Sequence, residues 1–307
     1  MEINKVYQGD SVILMREIPN NFIDLTVTSP PYDELRDYKG YSFDFEGIAR
    51  ELFRITKEGG VVVWVVKDSV IEGNRSLNSY RQAIFFQKLG FKVYDVIIWS
   101  KINSSLPHAK RYFDTFEYMF VFSKGLPKIV NLLKDRKNKN AGGTTWGKRS
   151  VREKDGSLTD KGKKTIDEFS IRFNIWEYSV GFGATTRDKY AFEHPAMFPE
   201  ELAKDHILSW SKEGDLVFDP FAGSGTTLKM AQRNNRNYLG FEIAEEYIPL
   251  INKRIAQNNI THFSNTLTSA EVNPAMQESL ISVKRESADS PNSPHDSSTI
   301  KEEANFS

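Results

Sequence analysis

The chain has 307 residues, 39% of them hydrophobic and 12% aromatic, and its 41 basic and 41 acidic residues give a formal net charge of zero. A chain of this size can bury one large core or two modest ones. It contains no cysteine, which excludes disulfides, thiolate metal sites and thiolate nucleophiles. The longest apolar run, at 61–66, is far shorter than the roughly 20 residues of a membrane helix, and the amino terminus lacks a signal-peptide pattern. We therefore expect a soluble, cytoplasmic protein with no membrane partner.

Alternating strands and helices are predicted for the first 123 residues. Runs of β-branched and aromatic residues predict strands at 22–28, 61–66, 94–99 and 118–122. Apolar residues at helical spacing predict helices at 45–56 and 78–89, and Gly59 and Gly90 follow them as stop signals. Strand and helix in repetition predict a parallel α/β sheet.

A basic segment interrupts this alternation after Ser123. Residues 124–164 contain 13 Lys or Arg and four acids, a surplus of nine positive charges that would suit phosphate groups. A solvated, partly disordered loop is the alternative for such a charge run. An apolar pattern resumes at Ile171, and we interpret residues 124–190 as an insertion outside the sheet.

Regular alternation returns from Glu193. The pattern predicts a helix, a strand, a helix, a strand and a helix, which complete the sheet, at 199–210, 215–218, 226–234, 238–242 and 245–257. Residues 263–307 contain ten serines and three prolines with no sustained apolar period. We expect this tail to remain unfolded.

A pair of glycines lies between the strand at 215–218 and the helix after it, in the sequence LVFDPFAGSGTTLKMA. Gly223 and Gly225 would let the backbone come close to a ligand. A phosphate loop needs a lysine after its last glycine, where this chain has threonine, and a dinucleotide fingerprint needs a third glycine, where it has Leu228. Neither phosphate-binding pattern is therefore complete.

An acid, Glu242, ends the next predicted strand, where doubly wound folds hold a ribose through its hydroxyls. Glycines and a ribose acid without phosphate ligands favour a nucleoside that has no phosphates, and S-adenosylmethionine is such a molecule. A purely structural turn is the alternative, because glycine often joins a strand to a helix.

The stretch VTSPPYDEL, at 27–35, ends the strand predicted at 22–28. Pro31 has no N–H and a fixed backbone angle, so neighbouring carbonyls stay open to other donors. The Ser29 hydroxyl and the Pro30 carbonyl can then accept the two hydrogens of an exocyclic amino group, while Tyr32 stacks on the ring that bears it. These residues predict a pocket for a nucleobase, which must be flipped out if it comes from a duplex.

Both motifs resemble those of the amino-group DNA methyltransferases, which modify the N4 of cytosine or the N6 of adenine. The family hallmark (D/N/S)-P-P-(Y/F/W) stands at 29–32 as SPPY, and the cofactor motif FxGxG stands at 221–225 as FAGSG. The catalytic motif comes first, then the presumed recognition region and then the cofactor motif. This order is that of the family's β arrangement, a circularly permuted version of the methyltransferase fold. Three further stretches agree with it: QGDS at 8–11, IWSK at 98–101 and HPAMFP at 194–199. The likeness spans residues 6 to 257, apart from most of the insertion.

The resemblance implies an α/β, three-layer S-adenosylmethionine-dependent methyltransferase (Rossmann-like) fold, circularly permuted, with an inserted target-recognition region. Residues 1–123 would be the catalytic half, 124–190 the recognition insertion, 191–262 the cofactor-binding half and 263–307 the disordered tail. The implied cofactor is S-adenosyl-L-methionine, without a metal, and the implied substrate is duplex DNA. The protein would be a monomer or homodimer of bacterial, archaeal or phage origin, with a cognate restriction endonuclease as a candidate partner.

The resemblance also assigns cofactor contacts. Residues 219–227 would cradle the methionine and sugar, and Glu242 would hold the ribose hydroxyls. Asp10 would meet the adenine amino group, and His194 and Phe198 would lie near the methionine end. The predicted cofactor-binding residues are Asp10, His194, Phe198, Asp219, Pro220, Phe221, Gly223, Gly225, Thr226, Thr227 and Glu242. The alternatives are a helix N-cap for Asp10 and simple packing for His194.

Composition limits the chemistry. Methylation of carbon 5 of cytosine requires a cysteine thiolate, which this chain lacks. An exocyclic nitrogen needs only alignment of its lone pair with the sulfonium methyl group, which hydrogen bonds to Ser29 and Pro30 would provide without a general base. The predicted catalytic residues are Ser29, Pro30, Pro31 and Tyr32. In the family, Ser before Pro-Pro-Tyr is associated mostly with cytosine N4 and Asp mostly with adenine N6, so cytosine is favoured and adenine is the alternative.

The basic insertion would bind DNA, with most Lys and Arg on phosphates and a minority at base edges. The stretch GGTTWGKR at 142–149 is expected to touch DNA, and a mobile surface loop is its alternative. The predicted DNA-binding residues are Lys101, Lys137, Lys139, Lys148, Arg149 and Arg152. Two other functions stay open: methylation of amines in RNA or protein, and a non-catalytic subunit that binds DNA.

Overall fold

The structure is a computed structural model that describes residues 1–31, 43–103, 110–145, 150–160 and 162–267, with side chains as far as residue 257. The predicted site residues Tyr32, Lys148 and Arg149 lie outside these ranges. Residues 1–258 form one compact unit. In the described ranges, no helix is long and apolar enough to cross a membrane.

Fourteen strands and six α-helices lie in the described part of the chain. The strands are β1 (Lys5–Gln8), β2 (Ile23–Thr28), β3 (Thr56–Val66), β4 (Val70–Ile71), β5 (Asn74–Arg75), β6 (Lys92–Lys101), β7 (Phe116–Ser123), β8 (Lys134–Lys137), β9 (Ser150–Arg152), β10 (Leu158–Asp160), β11 (Phe169–Ile171), β12 (Ile175–Tyr178), β13 (Leu216–Asp219) and β14 (Asn237–Glu242). The helices are α1 (Ser11–Met15), α2 (Phe45–Ile55), α3 (Asn78–Leu89), α4 (Glu200–Trp210), α5 (Thr226–Arg233) and α6 (Tyr247–Leu267), with a 3-10 helix at Lys189–Glu193.

Helix α6 is longer than predicted. Periodicity predicts its end at residue 257 and an unfolded tail from residue 263, but the helix continues to Leu267. Residues 258–267 contain neither proline nor glycine, so no residue in this stretch forces the helix to end.

The central sheet has eight strands in the order β1-β14-β13-β2-β3-β7-β6-β12. Neighbours run parallel, except that β7 is antiparallel to both β3 and β6. The prediction of a wholly parallel sheet is therefore wrong at β7. The connection from β6 to β7 contains no helix in its described part, and adjacent strands joined without a crossover helix run antiparallel.

Strand β12 corrects the predicted limits of the insertion. It pairs in parallel with β6 at the edge of the sheet, with Ile175 opposite Ile98, although residues 124–190 are predicted to lie outside the sheet. Its Trp176 packs into the core, which explains why an apolar pattern resumes before residue 175. The rest of the described insertion contains two small antiparallel sheets, β8 with β11 and β9 with β10.

Helices cover both faces of the sheet, in the three layers that were predicted. Side chains alternate along a strand, and in β3 the odd residues from 61 to 65 join one hydrophobic cluster while the even residues from 62 to 66 join the other. Helices α4, α5 and α6 pack on the first cluster through Leu202, Leu228 and Ile251. Helices α1, α2 and α3 pack on the second through Met15, Leu52 and Phe86.

The carboxyl ends of β2 and β13 lie side by side, since Val217 and Phe218 pair with Leu25 and Thr26. From β2 the chain passes through α2 to β3 on one side of this pair, and from β13 it passes through α5 to β14 on the other. Such a reversal is the topological switch point at which doubly wound sheets bind ligands. It brings the Ser-Pro-Pro segment next to the glycine turn.

Candidate active site

Two glycines shape the turn between β13 and α5. Gly223 and Gly225 have φ angles of +53° and +79°, in the left-handed region that favours glycine. A Cβ on Gly225 would lie 2.8 Å from Cγ2 of Ile251, and a Cβ on Gly223 would lie 3.0 Å from Cε1 of His194. Position 225 therefore favours glycine for steric as well as conformational reasons, whereas at Gly223 the φ angle is the main restriction.

Glu242 lies at the carboxyl end of β14, beside this turn. Its Oε2 accepts a hydrogen bond from the Gly223 N–H at 2.7 Å, and its Oε1 accepts one from the Ala244 N–H at 3.0 Å. Glu242 is only 7% exposed, and burial raises the pKa of its carboxyl group. The structure thus brings the predicted ribose acid to the glycine turn, while its contact with a ribose stays a prediction.

Asp219 joins the two motifs. Its Oδ1 accepts hydrogen bonds from the Thr28 hydroxyl at 2.6 Å and from the Phe221 N–H at 3.0 Å. The Thr227 hydroxyl donates to the Val27 carbonyl at 2.9 Å. Burial raises the pKa of the Asp219 carboxyl to about 6, although the bonds from Thr28 and Phe221 act in the opposite direction. The ends of the two strands that carry the motifs are therefore bonded to each other.

Asp10 follows β1 and caps helix α1. Its Oδ1 accepts a hydrogen bond from the Ile13 N–H at 3.0 Å, which confirms the N-cap alternative. The neighbouring Gly9 N–H donates to the Glu242 carbonyl at 2.9 Å, so Asp10 lies at the same edge of the sheet as the glycine turn. Its contact with an adenine amino group is not tested by these bonds.

His194 and Phe198 lie before α4 in different surroundings. The His194 ring packs edge to face against Tyr247, with centroids 4.6 Å apart, next to Gly223, and its Nδ1 lies 2.6 Å from the Ala196 carbonyl oxygen. Phe198 is buried in the hydrophobic cluster between the sheet and α4. The structure brings His194 to the turn and gives Phe198 a packing role, and a cofactor contact for either residue remains an expectation.

The other predicted cofactor residues also lie in the turn. The Ser11 hydroxyl donates to the Pro220 carbonyl. The Phe221 ring packs edge to face against Phe43, with centroids 5.6 Å apart. Thr226 is the first residue of α5 and is buried. Neighbours from α1, from the residues just before α2 and from within α5 thus hold this part of the turn.

Residues 29–31 directly follow β2, where the amine pocket was predicted. Pro30 is buried, and its two neighbours are half-buried. Tyr32 lies outside the described residues, so its stacking on a base stays a prediction. The described part of the motif is therefore at the switch point, one residue beyond the bond between Thr28 and Asp219.

A buried group of charges beside the turn was missed by sequence reasoning. Lys229 and Arg254 contact the carboxylates of Asp188 and Glu200 at 2.7 to 3.0 Å, and we call these four side chains the ion cluster. Its pairs are 29 to 66 residues apart, so no local spacing reveals them. The available signal was a lysine among the apolar residues of α5.

Four of the six predicted DNA-binding residues lie in the described part of the chain. Lys137, Lys139 and Arg152 are exposed on the insertion. Lys101, at the end of β6, forms an ion pair with Glu117, and its Nζ lies 4.6 Å from the centre of a Trp99 ring. Lys101 thus has partners within the protein that were not expected, and contact with DNA is untested at all four positions.

Fold and site together define a class of protein. The sheet is doubly wound, and its switch point carries a glycine turn that lacks a phosphate-binding lysine. An acid from the next strand bonds to that turn, and a Ser-Pro-Pro segment follows the strand on the other side of the switch point. These features define a methyltransferase with a nucleoside-type methyl donor.

Comparisons with known proteins identify the family. Residues 23–253 match the model of the N6/N4 DNA methylase family. The chain is 56% identical over 241 residues to the orphan methyltransferase M.BamHII of Bacillus amyloliquefaciens, a match that covers 78% of this chain and 91% of the relative. The chain therefore belongs to the N6/N4 DNA methylase family, and it is a DNA methyltransferase.

Solved structures agree with this assignment. TTHA0409 of Thermus thermophilus, described as a DNA modification methylase and complexed with S-adenosyl-L-methionine, has a TM-score of 0.54 and 25% identity, covering 83% of this chain and 93% of that one. The PvuII DNA methyltransferase, named as cytosine-N4-specific, has a TM-score of 0.59 and 23% identity, covering 88% of this chain and 94% of that one. At that identity the second likeness supports the fold alone. The predicted fold and family are confirmed.

Proposed function

We propose that the chain transfers a methyl group from S-adenosyl-L-methionine to the exocyclic N4 of cytosine, at a specific sequence in duplex DNA. Ser29 supports cytosine, because family members with Asp at this position mostly modify adenine. Adenine N6 is the second candidate, since the family includes both activities and both bases present an amino group beside a ring nitrogen.

The observation that carries the proposal is the junction of the two motifs. The Thr28 hydroxyl donates to Asp219 at 2.6 Å, so the segment that would accept the amine begins beside the turn that would hold the methyl donor. The turn suits S-adenosylmethionine, because it lacks a phosphate-binding lysine and is bonded to Glu242. The two proposed sites would therefore lie at a set distance from each other, and such alignment of the reactants can supply much of the rate of a displacement.

The residues of the chain would act on the amine rather than on the methyl donor. S-adenosylmethionine, when bound, supplies an electrophilic methyl group on a sulfonium sulfur. The Ser29 hydroxyl and the Pro30 carbonyl accept the two amine hydrogens and so direct the nitrogen lone pair toward the glycine turn. Transfer of that methyl group would leave one extra proton on the amine nitrogen, and this proton would pass to solvent, so the chain needs no general base. No cysteine takes part, in keeping with the composition.

The basic insertion is proposed to bind the duplex around the flipped base. Exposed cations such as Lys137, Lys139 and Arg152 support this role. A cognate restriction endonuclease would make the protein the modification part of a restriction-modification system. The relative M.BamHII is called an orphan methyltransferase, and that name lends no support to an endonuclease partner.

Expression in a host without DNA methylation, followed by sequencing of the genomic DNA for modified bases, tests the proposal. We expect N4-methylcytosine at one short sequence, and no modified base in cells that express Gly225→Asp. N6-methyladenine at one sequence would instead establish the second candidate. Methyl label that the purified protein places only in RNA or protein, with none in duplex DNA, would overturn the proposed function.

A further inference from the structure

Arg254, on α6, bonds directly to the centre of the glycine turn. Its side chain is fully buried. Its Nη1 donates to the Ser224 carbonyl at 2.7 Å and to the Ser224 hydroxyl at 2.9 Å, and it lies 3.2 Å from the Thr226 hydroxyl oxygen. Ser224 lies between the two glycines with left-handed φ angles. Glycine has the widest choice of backbone angles, so these bonds restrain the turn beside its two most adaptable residues.

The other donors of Arg254 hold the segment before α4. Its Nε donates to Asp188 at 3.0 Å, and its Nη2 donates to Glu200 at 2.7 Å. These two acids flank His194, whose ring lies against Gly223. A single guanidinium therefore connects the turn with the segment that packs on it.

Lys229 completes the ion cluster from α5. Its Nζ lies 2.7 Å from both Asp188 and Glu200, and Arg233 pairs with Glu200 at the longer distance of 3.8 Å. Burial alone would raise the pKa of Asp188, but the hydrogen bonds from Lys229 and Arg254 outweigh burial and lower that pKa. The Asp188 carboxyl is therefore ionised at neutral pH and paired with both side chains.

Stability alone is a weak reason for a buried ion cluster at this place. Apolar residues of the same volume are often at least as stabilising, because buried charges lose their hydration. An apolar residue at position 254, however, would leave the Ser224 carbonyl without its bond to the guanidinium. Apolar side chains at these positions could not donate hydrogen bonds to the turn.

We propose that Arg254 is a positioning residue for the methyl donor, which holds the backbone of Ser224 and the His194 segment in the arrangement that binds S-adenosylmethionine. It contacts neither the donor nor the base. The inference rests on the proposed function for the identity of the ligand. Because the bond of Glu242 to Gly223 and the bond of Thr28 to Asp219 do not involve Arg254, loss of Arg254 should weaken cofactor binding and leave the chemistry of the bound complex intact.

The test compares Arg254→Met and Arg254→Lys with Arg236→Met. Arg236 is another buried arginine of the predicted cofactor-binding half. It bonds to Ser211 near the amino end of β14, whereas the glycine turn lies at the carboxyl ends of the strands. The dissociation constant for S-adenosylmethionine is measured by calorimetry at a temperature where circular dichroism shows each variant folded. KM for the cofactor and kcat are measured on unmethylated genomic DNA.

We expect Arg254→Met to raise the dissociation constant roughly 10- to 100-fold, as the loss of hydrogen bonds from a charged donor does. Turnover at saturating cofactor should change little, because the lost interaction acts on binding. Arg254→Lys keeps the charge and part of the hydrogen bonding, so its dissociation constant should lie between those of Arg254→Met and the parent. Arg236→Met should lower the thermal midpoint and bind the cofactor like the parent.

Folded Arg254 variants that bind the cofactor as tightly as the parent would overturn the inference and leave the proposed function standing. An equal weakening in Arg236→Met would also overturn it, because the effect would then be a general loss of stability. If Arg254→Met does not fold, Arg254→Lys decides by the same measurement. A parent that transfers methyl groups to DNA without binding S-adenosylmethionine would overturn both proposals.

Discussion

The predicted cofactor-binding half, residues 191–262, and the predicted recognition insertion, residues 124–190, are built in opposite ways. Every residue of β13 is buried, and the turn after it is bonded by side chains from β14 and α6. Every residue of β8 and β9 is exposed, and these strands pair only with other short strands of the described insertion. An enclosed turn suits one small ligand. Exposed side chains on small sheets would instead suit contact with the groove of a DNA duplex.

Besides the ion pairs of Asp188 in the ion cluster, several other contacts join the two regions. Arg172 of the insertion donates to Asp205 of α4 at 2.6 Å and to Asp135 of β8 at 2.8 Å. The Trp176 ring of β12 packs over His206 of α4, with centroids 4.6 Å apart. The insertion is therefore anchored to the face of the sheet that also carries α4, α5 and α6.

The largest expected effect comes from a matched pair of glycines, one in each region. Gly225 and Gly142 both have φ of +79°, so alanine is strained at either by roughly 1–2 kcal/mol. A Cβ on Gly225 would lie 2.8 Å from Ile251, while none of the described atoms lies within 4 Å of a Cβ on Gly142. We expect Gly225→Ala to abolish binding of S-adenosylmethionine in calorimetry and Gly142→Ala to keep it. If the two variants bind S-adenosylmethionine with equal affinity, the contrast between the enclosed turn and the open insertion is contradicted.

The second prediction concerns Tyr32, the last residue of the predicted Ser-Pro-Pro-Tyr motif. Loss of stacking on a base costs roughly 1–3 kcal/mol, so Tyr32→Ala should lower turnover about 5- to 150-fold while cofactor binding survives. Methyl transfer to unmethylated genomic DNA and cofactor affinity are measured side by side. Tyr32→Phe keeps the ring and serves as the control. The stacking role is refuted if Tyr32→Ala is as active as the parent.

The third prediction tests the contact between the regions at His206. This residue is fully buried, its Nδ1 accepts a hydrogen bond from Trp210, and its Nε2 lies 3.2 Å from the sulfur of Met119. Burial, and to a lesser degree the charge of Arg172, lowers the pKa of His206 from 6.5 to about 3. The folded protein keeps the ring neutral while the unfolded chain protonates below about pH 6.5, so this contribution to stability is lost as the pH falls from 6.5 toward 3.

Urea unfolding of the parent and of His206→Gln at several pH values checks this. Between about pH 6 and pH 4, the free energy of unfolding of the parent should fall by about 1.4 kcal/mol per pH unit relative to the variant. Subtracting the free energy of unfolding of the variant from that of the parent cancels the contribution of Asp219. The raised pKa of Asp219 changes stability with pH in the opposite direction. Parallel pH dependences would show that His206 does not remain neutral in the fold.

The smallest expected effect concerns single cations of the insertion. If Lys137 or Lys139 contacts a phosphate, its change to alanine should reduce the slope of log affinity against log salt by about 0.9. Lys88, exposed at the end of α3, provides the control, and Lys88→Ala should leave the slope unchanged. If the affinity of the parent for duplex DNA does not depend on salt, the insertion is not the surface that binds DNA.

Much of the fold was predictable from periodicity, because apolar spacing reports which face of an element is buried. Helix α3 has the predicted bounds, and α2 ends one residue before its predicted end. Strand β1 was missed, because its four residues show little pattern and are held by pairing with β14. The direction of β7 and the place of β12 depend on which strands meet, and no local pattern contains that information.

The sequence alone determined the class of ligand and the order of the motifs. Glycine, proline and the absence of cysteine each restrict backbone geometry or chemistry without reference to the rest of the chain. Only the tertiary structure decided that Thr28 bonds to Asp219, 191 residues away, and that Arg254 restrains a turn 30 residues before it. Such contacts follow from strand order and helix packing, which bring together residues that no local spacing relates.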